Sequence, residues 1–407
     1  MTPAERVRIL VVGGGVGGLA CALGLARVGR RVRVLEAAPE FSEIGAGIQL
    51  APNATRALDE LGVLQPMLHQ AVFPQELVYM DARTGERITS VDLGGPFVER
   101  YGHPYVVMHR TDLHSALLDA CIADPGVTLE TNKAVEEVED LGDSARARCA
   151  DGTSYEADCL IGADGLHSVV RRLMSDDEPV ASEYVAYRGA IPFAEVSPHA
   201  GEDSMVMWVG PDLHLVQYKL RGGELYNQVG VFKSARYGEP DWGAPEELDQ
   251  HFGRCCEMVS YGASLLRRDM RWPMYDRDPI DNWTRNRITL LGDAAHPMLQ
   301  YLAQGGCQAI EDAVCLAKNV DGHDDYETAF QAYQAERIPR TARVQHSARR
   351  FGDICHIHGV GIDLRNAFFA TKAPQDYEPL DWLYIPVNGG PPAATPESQT
   401  HAGRGVA

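Results

Sequence analysis

The chain opens on an apolar run rich in β-branched side chains, Val7, Ile9, Leu10, Val11 and Val12, that feeds straight into Gly13, Gly14 and Gly15. A stretch rich in Ala and Leu follows over 19–27, then a second apolar run that ends on Glu36. Strand, glycine turn, helix, strand and acid in that order predict a βαβ unit over 6–36. A loop is expected over 41–49, with Gly45 and Gly47 allowing close backbone approach, and Pro52 opens a helix over 53–61. A turn is expected at 83–86 between short strands. A helix is expected from Thr111 to about residue 122, and a strand at 127–130. Strand-like alternation fills 135–149 and 155–161, with Asp151-Gly152 as the hairpin turn between them.

From about 181 to 267 the pattern changes. Runs at 205–209, 213–220 and 226–232 read as strands joined by Gly210-Pro211-Asp212 and by the turn 221–224, which predicts an antiparallel sheet. A buried strand returns at 286–291. Helices are expected over 308–319 and over 325–355, the latter interrupted by Pro339. The tail over 386–407, rich in Gly, Pro, Ala, Ser and Thr, is expected to be flexible.

With 407 residues the chain exceeds one ordinary core, so two or three modules are expected. A net charge of −20 argues against nucleic acid or an anionic membrane as partner, and means that an anionic substrate needs local cations or amide donors. Nine scattered cysteines without a Cys-x-x-Cys pair point to reduced thiols, not to a disulfide frame or a zinc site, and no metal is expected. The N-terminus enters the first strand at once and no apolar run is long enough to span a bilayer, so a cytoplasmic location is expected.

Three motifs carry chemistry. Gly13-x-Gly15-x-x-Gly18 opens the first helix, and Glu36 lies 21 residues beyond Gly15, close to the spacing of an acid that bonds a ribose hydroxyl. Such a turn presents backbone N–H groups and a helix N-terminus to a pyrophosphate. The alternative is a glycine turn in some other βαβ unit. The second motif runs from Cys159 through Asp164-Gly165 to Arg172. It reads as a strand entering a helix, with Ser168 at the first turn and Arg171 turned back toward the pyrophosphate. A capped strand-to-helix turn of no further meaning stands beside that reading. The third is a strand ending on Gly292-Asp293, followed by the small Ala294-Ala295, with Gly305-Gly306 preceding a helix that carries Glu311-Asp312. Asp293 suits a ribityl hydroxyl, and the helix N-terminus suits an anionic ring edge.

In this order and spacing the three blocks resemble the signatures of the single-component flavoprotein aromatic hydroxylases, over nearly the whole chain to about residue 385. The resemblance implies an α/β fold: a Rossmann-like FAD-binding domain from 1–75, 103–180 and 268–320, with an inserted antiparallel-sheet substrate domain from 76–102 and 181–267, and C-terminal helices over 321–385. It implies resident FAD, with Gly13, Gly15, Val16, Gly18, Ala37 and Asp164 in its binding loops. Glu36 would hold the adenosine ribose, Arg110 the pyrophosphate, the Val135 backbone the adenine and Asp293 the ribityl chain, with Gln49 and Gly306 beside the flavin ring. NADH, or alternatively NADPH, would act transiently, which fits the presence of a single dinucleotide fingerprint. A homodimer is implied by the relatives.

Met298-Leu299-Gln300-Tyr301-Leu302-Ala303-Gln304 resembles the 3-hydroxybenzoate 6-hydroxylases of that family, and Tyr275 to Pro279 fits the same group. Salicylate 1-hydroxylases and 6-hydroxynicotinate 3-hydroxylases are the alternatives. On 213–220, His214, Val216, Tyr218 and Leu220 share one face, a plausible pocket lining for a phenol; a face packed on the core is the alternative. The expected reaction attacks a flavin C4a-hydroperoxide with the ring carbon para to the substrate hydroxyl and yields gentisate. His214 is expected to accept the phenolic proton and Gln300 to bond the same oxygen, while Tyr218 orients the ring or the carboxylate beside Val216. Two rivals of other classes use the same fold: a non-hydroxylating FAD reductase or cyclase, and a flavin-free escort protein.

Overall fold

The structure, a computed structural model, describes residues 4–42, 46–196 and 204–386. The strand Glu5–Val12 lies inside a mostly parallel sheet of eight strands. Ser154–Gly162 and then Ile288–Leu290 lie to one side of it, Val32–Leu35 and then Val127–Glu130 to the other, and all five run parallel. Helices cover this sheet, so Ile9, Leu10, Val11 and Val12 form a continuous buried run with no alternation. The helix Val16–Arg27 packs its buried Leu19, Leu23 and Leu25 into the main core, next to the helix Gly305–Gly322.

This strand order places the site. Four adjacent parallel strands end, in spatial order, on Asp293, Asp164, the Gly13–Gly18 turn and Glu36. Segments far apart in sequence therefore share one carboxyl edge, where open α/β sheets bind their ligands.

A second sheet of seven strands has the spatial order Trp272–Asp276, Val180–Pro192, Leu225–Lys233, Leu213–Leu220, Ser204–Gly210, Glu76–Asp81 and Arg87–Asp92. All its pairs are antiparallel except Glu76–Asp81 against Ser204–Gly210. It takes in Trp272–Asp276, one strand beyond the expected limit at residue 267.

Several local expectations need correction. The stretch 135–149 is two strands, Val135–Asp140 and Ala145–Cys149, because the chain reverses at Gly142 with φ 88°. Part of the expected loop 41–49 is the strand Gly47–Leu50, which pairs with Val106–His109; Gly45 lies outside the described residues. Asp164-Gly165 leads only to a single 3-10 turn, Val170–Leu173, and not to a helix. Gly305 and Gly306 form the first turn of their helix, not its approach. The helix Tyr326–Cys355 runs unbroken through Pro339. An interior proline costs about 3 kcal/mol, but buried Phe330, Tyr333, Val344, Ala348 and Cys355 anchor this helix along its length. Of the tail, residues 387–407 lie outside the described residues. Among the described residues no helix is long and apolar enough to cross a membrane, and no group of His, Cys, Asp or Glu is placed to hold a metal ion. All nine cysteines are unpaired.

Candidate functional site: a dinucleotide edge opening on an aromatic cavity

At the glycine turn the backbone leaves no space for side chains. Gly13 has φ +106°, and a Cβ there would sit 2.3 Å from the Ala163 carbonyl oxygen; a Cβ on Gly18 would sit 1.9 Å from the Gly13 carbonyl oxygen. The turn is thus locked against the Asp164 loop, and Gly15 stands as the N-cap of Val16–Arg27. Buried His114 fixes the loop further, its Nε2 lying 2.9 Å from the Gly14 carbonyl oxygen. The Glu36 carboxylate accepts from Gly14 N–H and Ala38 N–H, both at 2.8 Å, which holds it at the mouth of the turn beside exposed Ala37. Lys133 N–H bonds the Glu36 carbonyl, which brings the start of the Val135–Asp140 strand to the same place.

Asp164 faces its own loop. It accepts from Ser168 Oγ at 2.5 Å, Val169 N–H at 2.7 Å and Val170 N–H at 3.3 Å. Burial raises its pKa against the pull of these donors. Its geometry is that of a cap that shapes the loop wall. Arg171 corrects its expectation: it is buried, pairs with Asp177 at 2.9 Å and donates to the carbonyls of Ala294 and Ala295 at 2.9 and 2.7 Å. It braces the Gly292-Asp293 turn from behind. That turn is held from the helix side as well. Asp312 accepts from Gly292 N–H at 3.0 Å, meets His296 Nε2 at 2.5 Å and pairs with Arg337 at 2.6 Å. Burial opposes the charged form of Asp312, yet His296 and Arg337 hold it below the usual carboxylate range.

Beyond this edge opens a cavity of about 680 Å³ between the two sheets. Val16, Arg110, Asp293, Gln300, Gly305 and Gly306 line it from the first module; Arg188, His214, Val216 and Tyr218 line it from the second. Gln49 lines it too, and its Oε1 accepts from Tyr105 OH at 2.7 Å. Tyr218 is buried with its ring against Gly47. The two expected groups of site residues thus border one space; on the expected strand face His214, Val216 and Tyr218 border it, while Leu220 is packed in the core.

The profile of the FAD binding domain family matches residues 6–348. The chain belongs to this family. The 3-hydroxybenzoate 6-hydroxylase of Klebsiella oxytoca is 41% identical over 393 residues, covering 94% of this chain and 97% of the relative. 3-Hydroxybenzoate 6-hydroxylase 1 of Aquipseudomonas alcaligenes is 42% identical over 382 residues, covering 92% and 97%. Among solved structures, Klebsiella pneumoniae HpxO complexed with FAD and uric acid superposes with a TM-score of 0.80 at 26% identity, covering 91% of this chain and 93% of that one.

The residues present fit FAD, the family's cofactor. The Gly13–Gly18 cradle admits phosphates to within backbone reach. The exposed Asp293 carboxylate has no hydrogen-bond partner among the described residues and faces the cavity. The first turn of Gly305–Gly322 brings unpaired N–H groups to the same wall.

At the far end His214 is 2% exposed. Its Nδ1 lies 2.8 Å from His356 Nε2, with the rings stacked at 15°; Tyr184 stacks on the outer face of His356 and Tyr301 sets its edge against both imidazoles. Burial pushes the His214 pKa down to about 3. The imidazole is neutral at neutral pH, and His356 occupies one nitrogen, which leaves Nε2 as the other. Gln300 Oε1 accepts from Arg188 Nη2 at 3.2 Å. Arginine can only donate, so the Gln300 oxygen faces Arg188 and the amide N–H groups are left for another acceptor. His114, Arg188 and His356 are absent from the sequence-level expectations. Their partners lie far away in sequence, as with His356, 142 residues from His214, and no local pattern signals such a contact.

Proposed function

We propose that the protein is an NAD(P)H- and O2-dependent FAD monooxygenase that hydroxylates 3-hydroxybenzoate para to its hydroxyl and releases gentisate. The observation that carries this reading is the single cavity that joins Asp293 and Gly306, at the dinucleotide edge, to His214 and Gln300 under the second sheet. The named activity of the two relatives, matched over more than nine-tenths of the chain, supports the choice of substrate.

Bound FAD, once reduced and met by O2, supplies an electrophilic oxygen. The protein's part is to make the arene nucleophilic and to keep it dry. A phenolate attacks far more readily than a phenol. His214 Nε2 accepts the phenolic proton while Nδ1 is held by His356. The low pKa of the buried imidazole does not prevent this, since an oxyanion forming beside it favours its protonated state. Gln300, turned by Arg188, donates an N–H to the same oxygen. Val216, Val229, Met205 and Met207 wall the ring and exclude water. Tyr218, under the ring, orients it. Through the para relation the deprotonated oxygen feeds charge to the carbon that must attack.

A His214→Ala variant is expected to retain FAD and to oxidise NADH, but to hydroxylate about 10²- to 10⁴-fold more slowly, with hydrogen peroxide as the by-product. Unchanged product formation by that variant at neutral pH contradicts the base assignment. A homodimer completes this reading, and sedimentation of the purified protein tests it.

A further inference from the structure

We propose that Arg188 is the carboxylate anchor of this cavity, the group that makes the enzyme take anionic arenes in preference to neutral phenols. The inference rests on the hydroxylase reading and adds to it the residue that reads the substrate's charge.

Position comes first. Arg188 pairs across the sheet with Val229, and Val229 pairs with Val216. Directly paired residues point to one face of a sheet, so Arg188, Val229 and Val216 form a row, and all three line the cavity. His214 lies on the same strand and face as Val216, one step along. The guanidinium therefore shares the compartment of the proposed base and is bonded to Gln300. A 3-hydroxybenzoate ring with its hydroxyl between His214 and Gln300 has a meta carboxylate to place, and Arg188 is the neighbouring cation.

Charge is the second argument. Buried arginines elsewhere in the chain have carboxylate partners: Arg171 with Asp177, Arg277 with Asp177, Arg337 with Asp312 and Arg340 with Glu311. Arg188 is half-buried, and no carboxylate pairs with it among the described residues. Its Nη2 bonds the neutral Gln300 amide, its Nε is buried without a partner, and its guanidinium lies 5.5 Å from the Trp272 ring centre. Burial, and then nearby Arg110, press against its charged form. A desolvated cation without a counter-ion is costly, and an incoming carboxylate removes that cost. In a chain of net charge −20, this is the local cation an anionic substrate requires. Arg350 also borders the cavity, but it is exposed and pairs with Asp353.

The test uses the FAD-loaded enzyme and follows ligand binding through the flavin absorbance, with 3-hydroxybenzoate and its neutral isostere 3-hydroxybenzamide. Wild type is expected to bind the benzoate more tightly than the amide. Arg188→Gln is expected to lose about 10- to 100-fold of benzoate affinity, the usual worth of a charged hydrogen bond, and to bind both ligands nearly alike. Arg188→Lys keeps the charge without the bidentate fork and is expected to fall between them. Arg188→Met, apolar and of similar length, covers the case in which the Gln variant does not load FAD. Equal losses for both ligands reduce Arg188 to a support for Gln300 and overturn the anchor, as does a benzoate preference that survives the substitution or is missing from wild type. Conversion of 3-hydroxybenzoate to gentisate by wild type, run alongside, separates the two claims: product with an unchanged ratio sinks the anchor alone, and no product sinks the reaction.

Discussion

At the scale of single residues the site is a set of polar groups whose free valences are set by their neighbours. His214 shows this most directly. Its pKa of about 3 lies below the ordinary 6.5 because burial disfavours the charged ring. Between these values the unfolded chain binds a proton that the folded chain does not, so stability falls as pH drops from about 6.5 towards 3. Replacement of His214 by Phe is expected to flatten that fall by up to about 1.4 kcal/mol per pH unit. Denaturant unfolding at a series of pH values checks it, and an unchanged acid limb contradicts the buried neutral imidazole. The sequence indicated His214, Val216, Tyr218 and Gln300 through strand alternation and through resemblance. It held no sign of His356 or Arg188, because what matters about them is a contact with a residue 142 or 112 positions away. The acid Asp164 was visible as a motif, but its partners, Ser168 Oγ and two N–H groups, appear only in the folded loop.

At the scale of elements the glycine turn and the Gly292-Asp293 turn are built differently. The first depends on missing side chains. Gly18→Val places atoms where the Gly13 carbonyl already lies, 1.9 Å from the Cβ position. The expected result is protein that purifies without yellow colour; full FAD occupancy contradicts the close approach. The second turn depends on a buried ionic support. Asp312→Ala leaves His296 without its carboxylate and Arg337 with only Glu311, at 3.5 Å, and is expected to cost about 3–5 kcal/mol, read as a shift in the chemical denaturation midpoint. A shift below about 1 kcal/mol contradicts that support. The βαβ unit and the three strands at 204–233 were legible because their periodicity and turn residues are local. Pro339 misled because tertiary packing along a 30-residue helix outweighs one local breaker. The reversal at Gly142 was hidden inside a run whose alternation continues on both sides of the turn.

At the scale of the molecule two sheets enclose one cavity, and each contributes what the other lacks. The parallel sheet gathers Glu36, the glycine turn, Asp164 and Asp293 along one edge, where a dinucleotide fits. The antiparallel sheet supplies the aromatic and imidazole wall. Both modules were legible in a change of pattern near residue 181, but the meeting of their faces follows from topology alone. A 3-hydroxybenzoate held in that cavity is expected to be oxygenated para to its hydroxyl. The most direct measurement incubates the FAD-loaded enzyme with NADH and O2 in the presence of 3-hydroxybenzoate, salicylate or 4-hydroxybenzoate, and identifies the products by chromatography. Gentisate is the expected product from 3-hydroxybenzoate, with NADH consumed in near-equal amount. Catechol from salicylate as the main product, or NADH oxidation with no hydroxylated arene from any of the three, contradicts it.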